Sequence, residues 1–192
     1  PSDNIKRAIM RGTGELEGGQ IDEIMFEGYG PGGAAVLVAV ATDNRNRTVQ
    51  EIRNLLSRAG GSLGESSSVA WLFDSKGVIT VRTEGLNPED LELQAIDAGA
   101  EDVRFEGDCL EIYTAPDKLE AVRKGLEEKK IPVDSAQLSM LSKTPLSLEE
   151  KASLQTLKLL DRLEELDEVQ NVTSNVDFSD EVLEKYHSGV QV

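Results

Sequence analysis

Residues 78–141 decide the fold, and they read VITVRTEGLNPEDLELQAIDAGAEDVRFEGDCLEIYTAPDKLEAVRKGLEEKKIPVDSAQLSML. Asn87-Pro88 predicts a helix start, because Asn caps free N–H groups and Pro fits the first turn. That helix ends at Gly99, and a second one is predicted over 116–130. Gly107-Asp108 predicts a hairpin turn. Apolar patterns predict strands at 78–81, 103–106, 110–114 and 135–141. The order is β-α-β-β-α-β, the split βαβ pattern.

The residues before this stretch predict a hairpin and a helix. An extended segment meets a Gly-Pro-Gly-Gly turn and then an apolar run, which predicts a β-hairpin over 24–41. Thr48 and Glu51 have the spacing of a capping box, so a helix is predicted to begin at Thr48 and to run to residue 59. A strand is predicted at 69–73.

The residues after residue 141 predict one further helix and one further strand. A helix is predicted over 147–168, with Ser147 and Glu150 as its capping box. Its predicted buried stripe comprises Leu154, Leu157, Leu160, Leu163 and Leu166. A strand follows at 170–178, and residues 183–192 are predicted to form a mobile polar tail. The simplest arrangement is an α+β domain inserted into a second α+β domain.

The charge of the chain is strongly acidic and unevenly distributed. The 192 residues carry 20 Lys plus Arg and 36 Asp plus Glu, a formal net charge of −16. Such a charge repels nucleic acid and anionic membranes from the molecule as a whole. Residues 1–60 hold 7 basic and 8 acidic side chains, whereas residues 61–192 hold 13 and 28. Any phosphate contact is therefore expected to come from a local patch or from a part missing from these 192 residues.

The residues that usually carry chemistry are scarce. Cys109 is the single cysteine and His187 the single histidine, which excludes an internal disulfide and a Cys/His zinc site. The location of His187 near the end argues against a hydroxyl-nucleophile triad. The paired acidic residues are predicted to face solvent rather than Mg²⁺. No metal, cofactor or catalytic residue is predicted, and no apolar run is long enough to span a membrane.

The glycine-rich turn matches the letters of a dinucleotide fingerprint without its context. The segment Gly28-Tyr29-Gly30-Pro31-Gly32-Gly33 satisfies G-x-G-x-x-G, but a strand rather than a helix follows it. The glycines are therefore predicted to supply a tight turn. The alternative is that the turn contacts a ligand through Tyr29, Gly30, Gly32 and Gly33. Otherwise the tyrosine simply packs over the turn.

The clearest cationic surface lies at the start of the helix after the hairpin. Arginines before a helix N-terminus are unfavourable with its dipole unless an anion lies there. Free N–H groups, guanidinium groups and amides together suit phosphate. The predicted contact residues are Asn44, Arg45, Asn46, Arg47, Arg53 and Arg58. Alternatively, Asp43, Glu51 and neighbouring carboxylates neutralise these arginines as solvated pairs.

Several short segments together carry a family resemblance. They are Asp3-Asn4-Ile5 with Arg7-Ala8-Ile9, Glu27-Gly28-Tyr29-Gly30-Pro31-Gly32-Gly33, Thr42-Asp43-Asn44-Arg45-Asn46-Arg47-Thr48, Gly60-Gly61-Ser62-Leu63-Gly64, Lys76-Gly77-Val78-Ile79, Ala98-Gly99-Ala100-Glu101-Asp102 and Asp134-Ser135-Ala136. With these segments the chain resembles the YebC family over nearly its whole length.

The resemblance implies a domain organisation. It implies two ferredoxin-like domains, one inserted in the other, after a basic N-terminal helical domain of which this chain keeps only a remnant. The predicted parts are 1–23 for the end of the helical domain and a connector, 24–77 with 147–180 for the discontinuous middle domain, 78–146 for the inserted domain and 181–192 for the tail.

The resemblance also implies a function. Family members are described as transcriptional regulators that bind DNA, and others as ribosome-associated translation factors. We therefore expect a non-enzymatic DNA-binding regulator of gene expression, with a translational activator on ribosomal RNA as the alternative. A phosphometabolite-binding enzyme using the helix start at 45–48 is less favoured. The acidic surface is open to protein partners, and the expected location is the cytoplasm, or mitochondria for an organellar relative.

Overall fold

The computed structural model describes residues 20–189. Of the predicted N-terminal part, 1–23, residues 1–19 lie outside that range. The described chain divides into two compact units, one combining residues up to Phe73 with those from Ser142 onward, and one running from Asp74 to Leu141. Residues 20–189 form two four-stranded antiparallel sheets, which confirms the predicted α+β class with two ferredoxin-like domains.

The elements follow one another in the order that a nested arrangement requires. The first part of the chain forms β1 (Asp22–Tyr29), β2 (Ala35–Thr42), α1 (Arg45–Arg58) and β3 (Ser62–Leu63). The middle forms β4 (Phe73–Arg82), α2 (Pro88–Asp97), β5 (Asp102–Glu106), β6 (Cys109–Thr114), α3 (Leu119–Glu128) and β7 (Val133–Ser142). The last part forms α4 (Glu150–Glu164), β8 (Val169–Ser174) and α5 (Asp180–His187).

The first unit is built on a sheet with the strand order β3-β1-β2-β8. β1 and β2 pair antiparallel, with Gly28 opposite Val36 and Tyr29 opposite Ala35, so the predicted hairpin is confirmed. α1 and α4 share one apolar core with the sheet. Its most buried side chains are Val36, Val38, Val40, Ile52, Leu56, Leu159, Leu163 and Val169. This core holds the two helices in a defined position, since each fully buried Leu or Ile contributes about 1.5–3 kcal/mol.

A buried carboxylate orders the segment between β3 and β4. Glu27 is only 6% exposed, and its oxygens accept backbone N–H groups of Ser67 at 2.5 Å, Val69 at 3.0 Å and Ala70 at 2.7 Å. These bonds favour a turn, and Ala70–Leu72 forms a short 3-10 helix. The strand predicted at 69–73 is therefore wrong, and β4 begins at Phe73.

The start of α4 also differs from the prediction. The helix begins at Glu150 after an N-cap without a side-chain bond, so the predicted capping box of Ser147 and Glu150 is wrong. The reason lies in the preceding backbone. The N–H of Leu146 donates to the Asn175 carbonyl at 2.7 Å, and its carbonyl accepts the Asp177 N–H at 2.9 Å. These bonds hold the backbone at Leu146 extended, alongside residues 175–177.

The predicted mobile tail is wrong as far as His187. Residues Asp180–His187 form α5, and the Ser179 hydroxyl accepts the N–H of Val182 at 3.2 Å as its cap. Val182 is buried. Lys185 Nζ lies 2.8 Å from a carboxylate oxygen of Glu150, which ties the helix to α4.

The second unit follows its sequence signals closely. Its sheet has the order β5-β6-β4-β7. Asn87 caps α2 by accepting the N–H groups of Glu89 at 3.0 Å and Asp90 at 3.2 Å. Gly107 has a φ of 62° in the β5–β6 hairpin, a conformation that favours glycine. The predicted βαββαβ order is confirmed. Within residues 20–189, no helix is long and apolar enough to cross a membrane.

Candidate functional site

The first turn of α1 is set by a buried pair of threonines. The helix begins at Arg45, with Asn44 as N-cap accepting the N–H of Arg47 at 3.1 Å. Thr48 is fully buried, and its hydroxyl oxygen lies 2.8 Å from that of Thr42 and 3.1 Å from the Asn44 carbonyl. The predicted capping box and helix start at Thr48 are therefore wrong. Its hydroxyl binds strand β2 instead of capping the helix.

This geometry brings Arg45, Asn46 and Arg47 into the first turn itself. All three side chains are exposed, as is Asn44. No acidic residue lies in that turn. Positive side chains at this position oppose the helix dipole, and an anion near them is favourable. The structure thus keeps these predicted contact residues together on the surface.

Arg47 has acidic neighbours. Its guanidinium donates a hydrogen bond to the Glu168 carboxylate, and Asp43 lies 3.7 Å away. The bond with Glu168, followed by the attraction of the same carboxylate, raises the pKa of Arg47. The alternative prediction, that carboxylates neutralise these arginines, therefore holds for Arg47. Its main partner is Glu168 rather than Glu51.

The other three predicted arginines have no such partner in the described part of the chain. No carboxylate among residues 20–189 lies within 4.0 Å of the side-chain nitrogens of Arg45, Arg53 or Arg58, and all three are exposed. They do not form one patch. At about 100° per residue, Arg53 and Arg58 point about 140° apart, and Arg45 and Arg58 are separated by roughly 20 Å along the helix. Arg58 lies at the opposite end of α1.

The glycine-rich turn also lies away from the first turn of α1. Strand β2, of 8 residues, separates the two ends of the sheet by roughly 25 Å. Gly32 and Gly33 have φ angles of 67° and 81°, which confirms that glycine serves a tight turn here. Gly30 is buried, and its N–H donates to the Ala34 carbonyl at 2.7 Å. Tyr29 is 38% exposed. A contact role for these four residues stays a prediction.

A second cationic surface includes Arg58 and was not predicted. Arg58 lines a groove with Lys158 and Arg162 of α4. Sequence reasoning missed the two α4 residues, because the leucine pattern of that helix indicates only its apolar face. Their spacing of four residues, which puts two cations on one helix face, is the signal that was available.

Groups of catalytic type are sparse in the described part of the chain. No cluster of three or more His, Cys, Asp or Glu side chains suited to a metal ion occurs within residues 20–189. Burial, and then the charge of Asp108, raises the pKa of the Cys109 thiol. A raised pKa disfavours the reactive thiolate.

Comparison with known proteins places these features in a family context. Residues 21–176 match a family model described as the second and third domain of TACO1/YebC. Two relatives from Dehalococcoides mccartyi, strains 195 and CBDB1, are 58% and 55% identical over 188 residues, which is 98% of this chain and 75% of theirs. A relative from Herpetosiphon aurantiacus is 50% identical over 187 residues, 97% of this chain and 74% of its own length. All three are named probable transcriptional regulatory proteins.

A solved structure supports the fold independently. The crystal structure of a conserved hypothetical protein from Aquifex aeolicus matches with a TM-score of 0.82 at 43% sequence identity. The match covers 95% of this chain and 76% of that one.

Proposed function

This chain belongs to the TACO1/YebC family, and from that membership we propose that it regulates gene expression by binding DNA, without catalysing a reaction. The names of its relatives indicate a transcriptional regulator of this family. The DNA contact and its location on α1 are the added parts of the proposal.

The observation that carries the proposal is the exposure of Arg45 and Arg53 on α1. Neither arginine has a carboxylate within 4.0 Å among residues 20–189, although the chain has 36 acidic and 20 basic residues. Guanidinium groups bind phosphate in a bidentate geometry. An acidic protein can still bind DNA phosphates through a local patch, because salt at 0.15 M screens the repulsion by carboxylates more than about 8 Å away.

The same helix start is less suited to a small phosphorylated substrate. Asn44 already accepts the Arg47 N–H through its side chain and the Thr48 N–H at 3.2 Å through its carbonyl. These two N–H groups are therefore not available to a ligand. Contact through the exposed side chains fits an extended phosphate backbone better.

Duplex binding by the full chain tests the proposal. Fluorescence anisotropy with a labelled DNA duplex is measured against salt for the natural chain and for Arg45→Gln with Arg53→Gln. We expect the double variant to bind at least tenfold more weakly, with a salt slope smaller by about 1.8, because each lost phosphate contact removes about 0.9. Lys118→Gln with Lys124→Gln removes the same charge from exposed positions elsewhere and is expected to bind normally. Equal affinity of the arginine variant and the natural chain would remove α1 from the interface.

A ribosome-associated translation factor is the second candidate. The angular separation of Arg53 from Arg58 favours contact with phosphates over the reading of base edges by one helix face. Such contact suits ribosomal RNA as well as DNA. Co-sedimentation with ribosomes at low salt separates the two, and its absence for the full chain would count against this candidate.

A further inference from the structure

A groove of the first unit lies between α1, α4 and α5. It has a volume of about 870 Å³ and is lined by three cationic side chains, Arg58, Lys158 and Arg162. Volumes of about 300–1,000 Å³ are typical of sites for small ligands or single nucleotides. The groove lies at the C-terminal end of α1, away from Arg45, so it is a separate surface from the first turn of that helix.

Within the described part of the chain, the three cationic side chains of the groove form no ion pair with a carboxylate. Within residues 20–189, no carboxylate oxygen lies within 4.0 Å of the side-chain nitrogens of Arg58, Lys158 or Arg162. Asp161 accepts a hydrogen bond from the Tyr186 hydroxyl and keeps its charge, and the charge of Glu165 also acts on Tyr186, so negative charge lies on that side of the groove. Lys158 and Arg162 are four residues apart on one helix, where like charges repel. An anion between them and Arg58 would relieve this repulsion.

The groove also offers surfaces for a planar base. Leu154 and Leu159 are buried and form the apolar floor of the groove, so the surface for a base comes from its aromatic side chains. Tyr186 and His187 line another part, with ring centroids 5.9 Å apart and ring planes at 64°. Aromatic rings beside cations are the usual means by which proteins bind single-stranded nucleic acid without reading its sequence.

We propose that this groove holds one nucleotide of a single-stranded nucleic acid, with phosphates at Arg58, Lys158 and Arg162 and the base against Tyr186 or His187. The inference rests on the proposed function in so far as the protein acts on nucleic acid. It adds a single-stranded contact that the arginines of the first turn do not provide. The exposure of Lys158, Arg162 and His187 leaves the groove open to a continuing strand.

The test is binding of a labelled 12-nucleotide oligothymidylate to the full chain. We expect Lys158→Gln with Arg162→Gln to weaken binding at least tenfold and to reduce the salt slope by about 1.4, since each single-strand phosphate contact contributes about 0.7. His187→Ala is expected to weaken it severalfold, and Lys158→Arg to retain it. The matched control is again Lys118→Gln with Lys124→Gln, and thermal unfolding shows whether each variant is folded.

The outcomes separate this inference from the proposed function. Loss of oligothymidylate binding in the Lys158 and Arg162 variant supports the groove, even if duplex binding proves independent of Arg45 and Arg53. Unchanged oligothymidylate binding in a folded Lys158 and Arg162 variant overturns the groove, whatever the duplex result. Competition by thymidine monophosphate at the same concentration as the oligonucleotide would also overturn it, in favour of a small-ligand site.

Discussion

The hydroxyl oxygens of Thr42 and Thr48 lie 2.8 Å apart, and both side chains are fully buried. Thr42 ends β2, and its hydroxyl also accepts the N–H of Asn44 at 3.0 Å. Thr48 lies one turn inside α1 and bonds the Asn44 carbonyl. The two threonines thereby fix the sheet, the N-cap and the exposed first turn in one arrangement.

Replacing Thr48 by valine is expected to destabilise the chain. Valine preserves the shape but leaves the Thr42 hydroxyl without its buried partner, which costs about 1–3 kcal/mol of the free energy of unfolding. Thr48→Ser keeps the hydroxyl and is expected to lose less. Urea denaturation measures both. A valine variant as stable as the natural chain would show that the threonine bond contributes nothing.

Glu27 is expected to make stability depend on pH in the acidic range. Burial alone would raise the pKa of Glu27, but the backbone N–H groups of Ser67, Ala70 and Val69 outweigh it and hold that pKa below its ordinary value. The unfolded state, in which the pKa of this carboxyl is about 4.3, then binds its proton first as pH falls. The stabilisation is present above that pH and is lost as pH falls through the lower pKa of the folded state.

Glu27→Gln provides the comparison. It is expected to lower the free energy of unfolding by about 1–3 kcal/mol at pH 7. The amide is uncharged and has a single acceptor oxygen, so it cannot accept all three N–H groups as the carboxylate does. The difference from the natural chain should shrink as pH is lowered below about 4.3. A difference that stays constant from pH 7 to pH 3 would contradict a role of the charged carboxylate.

Leu159 is expected to contribute more to stability than Leu157. Leu159 is 2% exposed in the core with Ile52 and Leu56, whereas Leu157 is half-buried. Leu159→Ala should cost about 2–5 kcal/mol by leaving a cavity. Leu157→Ala is the matched control, with the same change on the same helix. Equal losses in urea denaturation would argue against the observed orientation of α4.

Tyr186 is expected to titrate late. Burial, followed by its hydrogen bond to Asp161, raises the pKa of Tyr186 to about 12. The difference between the ultraviolet titration curves of the natural chain and of Tyr186→Phe should show this transition. Asp161→Asn should lower the pKa of the transition. Because the pKa is raised above the unfolded value of about 10, the contribution to stability is complete below pH 10 and is lost as pH rises through 12. A difference transition at pH 10 would contradict the bond.

Removal of the Glu168 carboxylate tests whether Arg47 belongs to the DNA contact. Glu168→Gln leaves the arginine without its main acidic partner. If Arg47 contacts phosphate, duplex affinity should rise severalfold at low salt. Glu128→Gln makes the same charge change at an exposed position and is the control. Identical affinities of the two variants would exclude Arg47 from the contact.

Prediction from sequence succeeded where the deciding groups are close along the chain. The Asn87 side chain caps α2 by accepting the N–H groups two and three residues ahead. Gly107 forms the turn of a hairpin between neighbouring strands. The predictions failed where the deciding partner belongs to another element or segment of the fold. Thr48 binds the preceding strand, the segment after Ser67 is held by Glu27, and the start of α4 is delayed by Leu146 bonding beyond β8.

The sequence by itself determined the family, the α+β class and the position of most strands and helices, because periodicity, caps and turns are local properties of the chain. Tertiary structure decided which cations meet. It paired Arg47 with Glu168 and brought Arg58 to Lys158 and Arg162. The physical reason is that charge interactions depend on distances set by packing of α1 and α4 in one core, and such distances are not encoded in spacing along the chain.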